Sequence, residues 1–406
     1  MPAPVFRKGL NLKHAVAGAL AEDYHSQLVN DIKSSGFKWV DGRLTIHLAQ
    51  EFGFCYGVDR AVDYAYQTRA RFPNNRVYLT GEIIHNPQVN TRLRNAGIVF
   101  LSDPGQSIEQ LQTDDVVILP AFGVTVRELE LLDRQGCTLI DTTCGSVLNV
   151  WKNVRRYTED GFTAVIHGKV HHEETQATAS QALTARHGRY LIVLNRDEAA
   201  IVCNFILGQI DTDTFFKHFR PACSEGFEPH NDLSRVGLAN QTTMLMSESL
   251  EIGEMFRAAM IERYGPDVLD DHYRAFETIC SATEDRQDAI QTLLNENEFT
   301  MAVVIGGYNS SNTRNLARIC GKTVPTYHIA DASCLVSENE IRHRPTDSHF
   351  ASTVAGIELN SQETISNSWF PPEGPVSIAL TAGASTPDSI VGSVIQRLAD
   401  FSQNTT

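Results

Sequence analysis

Three of the eight cysteines share one local pattern, and they are the first residues in the sequence that could do chemistry. Cys55 closes EFGFC, Cys144 closes DTTC and Cys280 closes ETIC, so each has an acidic residue shortly upstream. A helix-like run follows each of them: YGVDRAVDYAYQ, GSVLNVWKNVRRY and SATEDRQDAIQTLL. Because the chain contains no C-x-x-C pair, we do not expect a zinc ribbon or a thioredoxin-type motif.

Three converging thiolates would suit two kinds of metal site. One is a zinc ion with an open fourth position. The other is a [4Fe–4S] cluster in which cysteines hold three irons and the fourth iron is free. Spacing alone does not choose between them, and DTTC and ETIC are also compatible with ordinary strand ends. The other cysteines are predicted to be small buried apolar residues: Cys137, Cys203, Cys223, Cys320 and Cys334.

A second pattern follows each cysteine after 27 to 30 residues, where an apolar run ends in a glycine and polar residues. These runs contain His85 in VYLTGEIIHN, His171 in AVIHGKVHHEE and Ser310 in AVVIGGYNSSN. A further apolar run then closes on small or hydroxyl-bearing residues: VVILPAFGV, VGLANQTTM and VSIALTAGAST. The simplest account of this repetition is three copies of one α/β unit.

Strands that alternate with helices predict a mainly parallel sheet in each copy. We therefore predict an α/β fold of three similar modules around a pseudo-threefold axis. In open parallel sheets, ligands bind outside the carboxyl ends of the strands, where helix N-termini favour thiolates and phosphates. Modules that face inward would bring the thiols, imidazoles and hydroxyls into one central cavity.

Composition limits the classes of function. The chain has 406 residues, more than the roughly 250 at which single cores stop growing, so two or three domains are expected. The formal charge of −15 argues against nonspecific nucleic-acid binding. We expect no membrane span, because there is no apolar run of about 18 residues. The start of the sequence has no signal-peptide pattern and is too acidic for a good transit peptide, which favours a cytoplasmic protein. The plastid stroma is the alternative in a plastid-bearing organism.

Eight motifs together resemble one family. GFCYGVDRAV, GEIIHN, DTTCGSV, HHEET, NQTT, ETICSAT, YNSSNT and TAGASTPD occur in the order found in the 4-hydroxy-3-methylbut-2-enyl diphosphate reductases, the LytB or IspH family. The match runs from about Glu51 to about Ile395 and covers all three units. The long N-terminal segment and extra lengths near 187–235 and 328–372 resemble the cyanobacterial and plastid branch.

This resemblance implies a reductive dehydration that depends on a central [4Fe–4S] cluster with one open iron. The implied substrate is (E)-4-hydroxy-3-methylbut-2-enyl diphosphate, whose hydroxyl leaves after two electrons and two protons arrive. The implied products are isopentenyl and dimethylallyl diphosphate, in the last step of the methylerythritol phosphate (non-mevalonate) pathway. Cys55, Cys144 and Cys280 match the cluster ligands of the family.

The resemblance also implies roles for polar residues. Glu173 matches the proton-delivering carboxylate, and Thr242 matches the threonine that positions the hydroxyl end of the substrate. The residues that match the diphosphate ligands, with Ser311 beside them, are His85, His171, Ser310, Asn312 and Ser385. One departure is Phe122 in PAFGV, where bacterial members often carry a histidine.

The electrons are expected to come from another protein, because no G-x-G-x-x-G follows a strand and no flavin or nicotinamide site is evident. The resemblance implies ferredoxin as the donor. Because ferredoxins are generally acidic, docking would need a basic patch, for which Lys152, Arg155 and Arg156 are candidates. A solvated helix face is the alternative explanation of those three residues. Both a monomer and a homodimer are compatible with the sequence.

Three other functions stay open at this point. A quinolinate synthase-like enzyme would also use three modules and a three-cysteine cluster, and a zinc hydrolase would keep the three ligands. An iron–sulfur sensor would need an element such as a basic helix-turn-helix, and none is recognisable. For the organisation of the chain, we predict an N-terminal extension over 1–45 and modules over 46–143, 144–279 and 280–398, the second with an insertion near 187–235.

Overall fold

The computed structural model describes residues 4–346 and 363–403. Its helices are α1 (Lys13–Tyr24), α2 (Gln27–Ser34), α3 (Tyr56–Arg71), α4 (Pro87–Asn95), α5 (Val126–Gln135), α6 (Gly145–Glu159), α7 (Glu173–Ala182), α8 (Arg196–Ile206), α9 (Thr212–Phe219), α10 (Pro229–Asp232), α11 (Met246–Tyr264), α12 (Leu269–His272), α13 (Ser281–Glu296), α14 (Ser311–Gly321) and α15 (Asp388–Gln403). Its strands are β1 (Val5–Phe6), β2 (Lys38–Asp41), β3 (Leu44–Leu48), β4 (Val77–Leu79), β5 (Ile98–Phe100), β6 (Val116–Leu119), β7 (Thr138–Asp141), β8 (Thr163–His167), β9 (Tyr190–Val193), β10 (Val236–Asn240), β11 (Tyr273–Ala275), β12 (Met301–Ile305), β13 (Thr326–Ile329), β14 (Glu340–His343), β15 (Thr364–Asn367) and β16 (Val376–Ala382).

Three sheets share one strand order. They read β7-β6-β4-β5, β11-β10-β8-β9 and β3-β16-β12-β13, and every pairing within these orders is parallel. The first sheet gains β1 at its edge, and the third gains β2 as an antiparallel edge strand. The predicted α/β fold of three similar modules with mainly parallel sheets around a pseudo-threefold axis is therefore confirmed.

The apolar runs read from the sequence are the central strands of these sheets. All four residues of β6 and all five of β12 are buried, as expected for parallel strands covered by helices on both faces. Each sheet has its own core: α3 packs on the first, α6 on the second and α13 on the third. Among the helices of the described residues, none is both long and apolar enough to cross a bilayer.

The strand before Cys55, β3, pairs with β16 and so belongs to the third sheet, although the predicted first module begins at residue 46. The other two modules show the same arrangement: β7 and β11, the strands before Cys144 and Cys280, complete the sheet of the preceding module. By pairing with the third sheet, β3 therefore links the first module to the last.

The predicted N-terminal extension over 1–45 is joined to two of the modules. β1 pairs with β7 of the first sheet, and β2 pairs with β3 of the third. The predicted insertion near 187–235 contains β9, which is a regular strand of the second sheet, so the added elements are α8, α9 and α10. Residues 347–362, within the extra length predicted near 328–372, lie outside the described residues.

Candidate active site

The three cysteines lie in equivalent positions. Cys55, Cys144 and Cys280 are the N-cap residues of α3, α6 and α13, and each has an extended backbone. Each cysteine amide donates to a carbonyl that follows a strand of the preceding sheet. The acceptors are Ala384 for Cys55 at 3.3 Å, Ala121 for Cys144 at 3.0 Å and Thr242 for Cys280 at 3.2 Å. The repeat found in the sequence is thus a repeat of backbone geometry.

One cavity contains all three thiols, which we call the thiol triad. Gly57 brings two of them together: a Cβ atom at this position would lie 2.7 Å from Cys144 Sγ and 3.9 Å from Cys55 Sγ. Contacts under 3.0 Å do not occur for real Cβ atoms, so a side chain here would displace the Cys144 sulfur. The glycine therefore lets the cysteine of the second module lie against the helix of the first.

The donor chemistry of the thiol triad fits a soft metal centre. Burial raises the pKa of Cys55, and raises that of Cys280 to about 11, whereas hydrogen bonds from the first turns of α3 and α13 act in the opposite direction. A bound cation would replace the protons, because thiolates are the ligands of iron–sulfur clusters and zinc. Three thiols from three modules leave one position of such a centre without a cysteine.

Two histidines on the cavity form a directed hydrogen-bond chain. His172 is the N-cap of α7, and its Nδ1 accepts from the Glu174 amide at 3.2 Å. Burial holds the pKa of His172 well below its usual value, so the ring is neutral and its proton is on Nε2. That N–H points at His85 Nε2, 3.2 Å away, while His85 Nδ1 lies 2.9 Å from a Glu82 carboxylate oxygen. Both Nε2 atoms therefore face each other across the cavity.

Phe122, the departure from the bacterial pattern, packs on these rings. It stacks on His85 with 4.4 Å between ring centroids and meets His172 edge-on at 5.4 Å. An aromatic ring at this position fixes the plane of both imidazoles without adding a polar group. The two histidines thus keep their orientation where a third one is missing.

The hydroxyl and amide residues stand at helix starts. Ser310 is the N-cap of α14, and its Oγ accepts from the Thr313 amide at 3.3 Å. Asn312 accepts the Ala384 amide at 3.0 Å, which ties this helix to the loop that carries Ser385. Free amides at a helix N-terminus attract anions. We call the following cavity residues the polar set: His85, His172, Ser310, Ser311, Asn312 and Ser385.

A buried carboxyl group in the first turn of α7 lines the cavity together with the thiol triad. Glu174 is 1% exposed, and its two oxygens accept from the Thr242 amide at 2.6 Å and the Thr242 hydroxyl at 3.0 Å. Burial raises its pKa to about 7, although the bonds from Thr242 lower it. Near neutral pH this group exchanges a proton readily, as a general acid must.

Two sequence-predicted site residues lie outside the cavity lining. His171 is exposed, and Glu173 keeps 48% of its side chain exposed. Neither lines the cavity, whereas His172 and Glu174 do. Glu173 stands at the rim of the cavity, 3.5 Å from His85 Nε2. One ligand atom each from Glu173, His85 and His172 lie within 4.8 Å of one another. Within this group a hydrogen bond joins the two imidazoles.

The remaining sequence-predicted residues all line the cavity. These are Cys55, His85, Cys144, Thr242, Cys280, Ser310, Ser311, Asn312 and Ser385. The stretch HHEETQATASQA contains a partial helical signal for this difference. In a helix, Glu174 shares its face with Thr178 and Gln181, which are buried, whereas Glu173 is followed one turn later by exposed Gln176 and buried Ala177. His172 also lies 28 residues after its cysteine, closer to the spacing of 30 in the other two modules than His171 is.

A second, wider groove runs along α13 beside β3. Its walls include Glu51, Asp285, Asp288 and Glu296. A concentration of carboxylates repels anionic ligands, and the groove contains no cysteine. The cavity with the thiol triad is therefore the better candidate for an active site that takes an anion.

The comparisons with known proteins agree with this geometry. The family model described as LytB protein matches residues 46–399. A protein of Synechococcus sp. (strain CC9311) named 4-hydroxy-3-methylbut-2-enyl diphosphate reductase is 46% identical over 401 residues, which are 98% of this chain and 96% of that protein. A protein of the same name from Thermosynechococcus vestitus is 45% identical over 395 residues, 97% and 93% of the two chains.

Two solved structures are similar as well. One is described as (E)-4-hydroxy-3-methyl-but-2-enyl diphosphate reductase, the terminal enzyme of the non-mevalonate pathway. It is 28% identical, has a TM-score of 0.52, and the match covers 87% of this chain and 99% of that one. The other is the E-1-hydroxy-2-methyl-but-2-enyl-4-diphosphate reductase from Plasmodium falciparum. It has a TM-score of 0.61 at 19% identity, and the match covers 88% of each chain. At this identity the similarity supports the fold alone. With its thiol triad, its repeated sheets and these relatives, the chain belongs to the LytB family.

Proposed function

We propose that this protein catalyses the reductive dehydration of (E)-4-hydroxy-3-methylbut-2-enyl diphosphate to isopentenyl and dimethylallyl diphosphate. The observation that carries the proposal is one cavity that joins the thiol triad to the polar set. Relatives of nearly equal length bear the name of this reductase, which supports the same assignment. The reaction consumes two electrons and two protons, breaks the C–O bond and releases water.

The thiol triad would hold a [4Fe–4S] cluster through Cys55, Cys144 and Cys280. A cluster held by three cysteines supplies electrons and a Lewis-acidic iron with an open position. The proximity of Gly57 to two of the sulfurs supports a shared ligand set. A zinc ion is the alternative, and only the cluster provides the electrons that a reduction needs.

The polar set would bind the diphosphate. Ser310, Ser311 and Ser385 offer hydroxyls, and Asn312 offers its amide NH₂ group. The start of α14 adds free backbone amides and the positive end of a helix dipole. His172 has its proton on Nε2, because its Nδ1 accepts from the Glu174 amide; this N–H points at His85 in the structure and would turn to the diphosphate. These donors recognise an anion without any lysine or arginine among the cavity residues.

Glu174 would deliver the proton that turns the leaving hydroxide into water. Its carboxyl group has a pKa of about 7 because it is buried, so the protonated acid is available at neutral pH. Thr242 holds both carboxyl oxygens, and its carbonyl accepts the Cys280 amide. This contact supports a position of the acid beside the thiol triad, with the Thr242 hydroxyl as orienting group or relay.

The electrons would come from ferredoxin, and the cyanobacterial relatives support a cytoplasmic location. The candidate basic residues lie on α6, which begins directly after Cys144. Lys152 and Arg156 are exposed there, whereas Arg155 is half-buried and donates to Gln181 at 2.9 Å. Lys152 and Arg156 are therefore the pair free to meet an acidic partner.

The decisive experiment is anaerobic reconstitution followed by turnover. We expect brown iron–sulfur absorption, close to four irons per chain, and conversion of the substrate to the two five-carbon diphosphates with a chemical reductant or reduced ferredoxin. Cys203, buried in α8 outside the cavity, supplies the control: its change to serine should leave iron content and turnover intact. A colourless zinc protein, or a loaded protein that leaves this substrate unchanged, would contradict the proposal.

A further inference from the structure

Arg286 is a buried cation beside the thiol triad. It stands in the second turn of α13 and is 4% exposed. One guanidinium nitrogen donates to the Ala282 carbonyl at 2.6 Å, and the other terminal nitrogen donates to the Gly53 carbonyl at 2.9 Å. Because Gly53 lies two residues before Cys55, the side chain joins the loop of one thiol to the helix that begins at another.

The repeat makes this residue exceptional. Arg286 lies six residues after Cys280. The same step from Cys55 and from Cys144 leads to Ala61 and Val150, which are 0% and 1% exposed and belong to apolar cores. Two modules thus place an apolar side chain where the third places a cation, at a point where burial disfavours charge.

The charge of Arg286 lacks an obvious counter-charge. Within residues 4–346 and 363–403 both acceptors are carbonyl groups, and no carboxylate forms an ion pair with it. Its Nε is buried without a hydrogen-bond partner. A buried guanidinium is costly unless negative charge lies nearby. Thiolates and a reduced cluster at the thiol triad would supply that charge.

The position of this charge gives it a direction of effect. A positive charge held against the Cys55 loop favours negative charge on a centre that the thiol triad would hold.

We propose that Arg286 is a positioning and tuning residue for the cluster: it holds the Cys55 loop against α13 and favours the reduced state of the cluster. This inference rests on the proposed function, which places a cluster at the thiol triad. Reduction adds one negative charge, and the potential of an iron–sulfur centre depends on nearby charge, hydrogen bonds and burial. A buried unit charge at roughly 10 Å, at an effective dielectric constant of about 20, changes such an equilibrium about tenfold.

The test is a redox titration of the holoenzyme and three variants, read from the cluster signal. Arg286→Met removes the charge and should lower the ratio of reduced to oxidised cluster about tenfold at a fixed potential, which is about 59 mV for one electron. Arg286→Lys keeps the charge and should stay within about twofold of the unmodified protein. The lysine cannot bridge both carbonyls, so the variant should lose iron faster to a chelator.

Arg60 provides a matched control. It lies on α3 and donates to the carbonyl of Thr143, the residue before Cys144, at 3.2 Å. Because it is half-exposed, solvent screens its charge, and Arg60→Met should shift the ratio by less than about twofold. Its bridging role resembles that of Arg286, so the comparison isolates buried charge.

The outcomes separate cleanly. The inference would be overturned if Arg286→Met loads its cluster and keeps the normal ratio of reduced to oxidised cluster. It would also be overturned if Arg286→Lys lowers that ratio as much as Arg286→Met does. If Arg286→Met holds no iron while Arg286→Lys does, the requirement for charge is supported; if neither holds iron, the tuning role is wrong. Absence of iron–sulfur absorption in the unmodified protein would instead contradict the proposed function.

Discussion

The thiol triad has one residue type at its three repeated positions, whereas the polar set has different residue types with different partners. Every cysteine caps a helix and donates its amide to a carbonyl of the preceding sheet. In the polar set, His172 is fixed by its own helix, His85 by Glu82, and Asn312 by a loop of the same module. The three equivalent cysteines suit a symmetric metal site, whereas the different side chains of the polar set suit an asymmetric substrate.

The largest expected effect is the loss of one member of the thiol triad. Cys144→Ser should lower iron content sharply and abolish turnover, because each cysteine would hold a different iron of the proposed cluster. Cys55→Ser and Cys280→Ser should behave alike if the three settings are equivalent. Iron analysis and turnover of the three variants check this, and normal cluster loading in Cys144→Ser would break the comparison.

Next in size is the loss of the proton donor. Glu174→Gln keeps the size of the side chain and a hydrogen bond to Thr242, but it has no proton to give. Turnover should fall by roughly 10²–10⁴-fold with the cluster intact. Glu173→Gln is the neighbouring control and should stay within a few-fold, because Glu173 is half-exposed and does not line the cavity. The opposite ranking of the two variants would restore the original sequence assignment.

The pH profile sharpens the same prediction. Glu174 must be protonated to act, and its pKa is about 7, so the rate with reduced enzyme should fall as the pH rises through 7. The fall should approach tenfold per pH unit above that point. In Glu174→Gln this fall of the rate above pH 7 should vanish. A fall that persists in the variant would come from the titration of another group.

These two predictions depend on the residues that line the cavity, which lie one position after the His171 and Glu173 predicted from the sequence. The cysteines, Ser310 and Ser385 follow a repeat of strand, turn and helix, which spacing reveals. The loop before α7 contains two adjacent histidines and two adjacent glutamates, so a motif match alone does not fix which pair faces inward. Helical periodicity does not separate the two glutamates either, because Ala177, one turn after Glu173, is buried as Thr178 is; the burial of Glu174 comes from tertiary packing.

Other features lay beyond the reach of sequence reasoning. The assignment of β3 to the third sheet depends on a contact between the two ends of the chain. The stacking of Phe122 on His85 depends on how two loops of one module meet. Such contacts are set by tertiary packing, and no local pattern encodes them.

A smaller effect is expected from the polar set. Ser310→Ala removes one donor to the diphosphate, at a cost of roughly 1.5–3 kcal/mol, or about 10- to 150-fold in affinity. Ser26→Ala is a matched control, because Ser26 also caps a helix but lies outside the cavity. Both changes should cost about 1 kcal/mol of stability, and only the first should weaken substrate binding. Equal affinities in the two variants would point to a diphosphate site elsewhere.

The smallest effect concerns Phe122. Phe122→Ala removes its contacts with two imidazoles, at roughly 0.5–1.5 kcal/mol for an aromatic pair, and should weaken binding by about two- to tenfold. Phe122→His retains a flat ring and should cost less than the alanine change. Substrate titrations of both variants check the order, and a larger loss with histidine would mean that apolar character matters more than ring stacking.

The most direct test of one shared cavity is a substrate titration that follows the cluster spectrum of the oxidised holoenzyme. The account predicts that the substrate perturbs the spectrum and that inorganic diphosphate, bound at the polar set, competes with it. Ser310→Ala should shift this titration to higher concentration without changing the spectrum of the free enzyme. Substrate binding that leaves the cluster unperturbed, or that diphosphate does not oppose, would contradict the central claim that the thiol triad and the polar set serve one molecule.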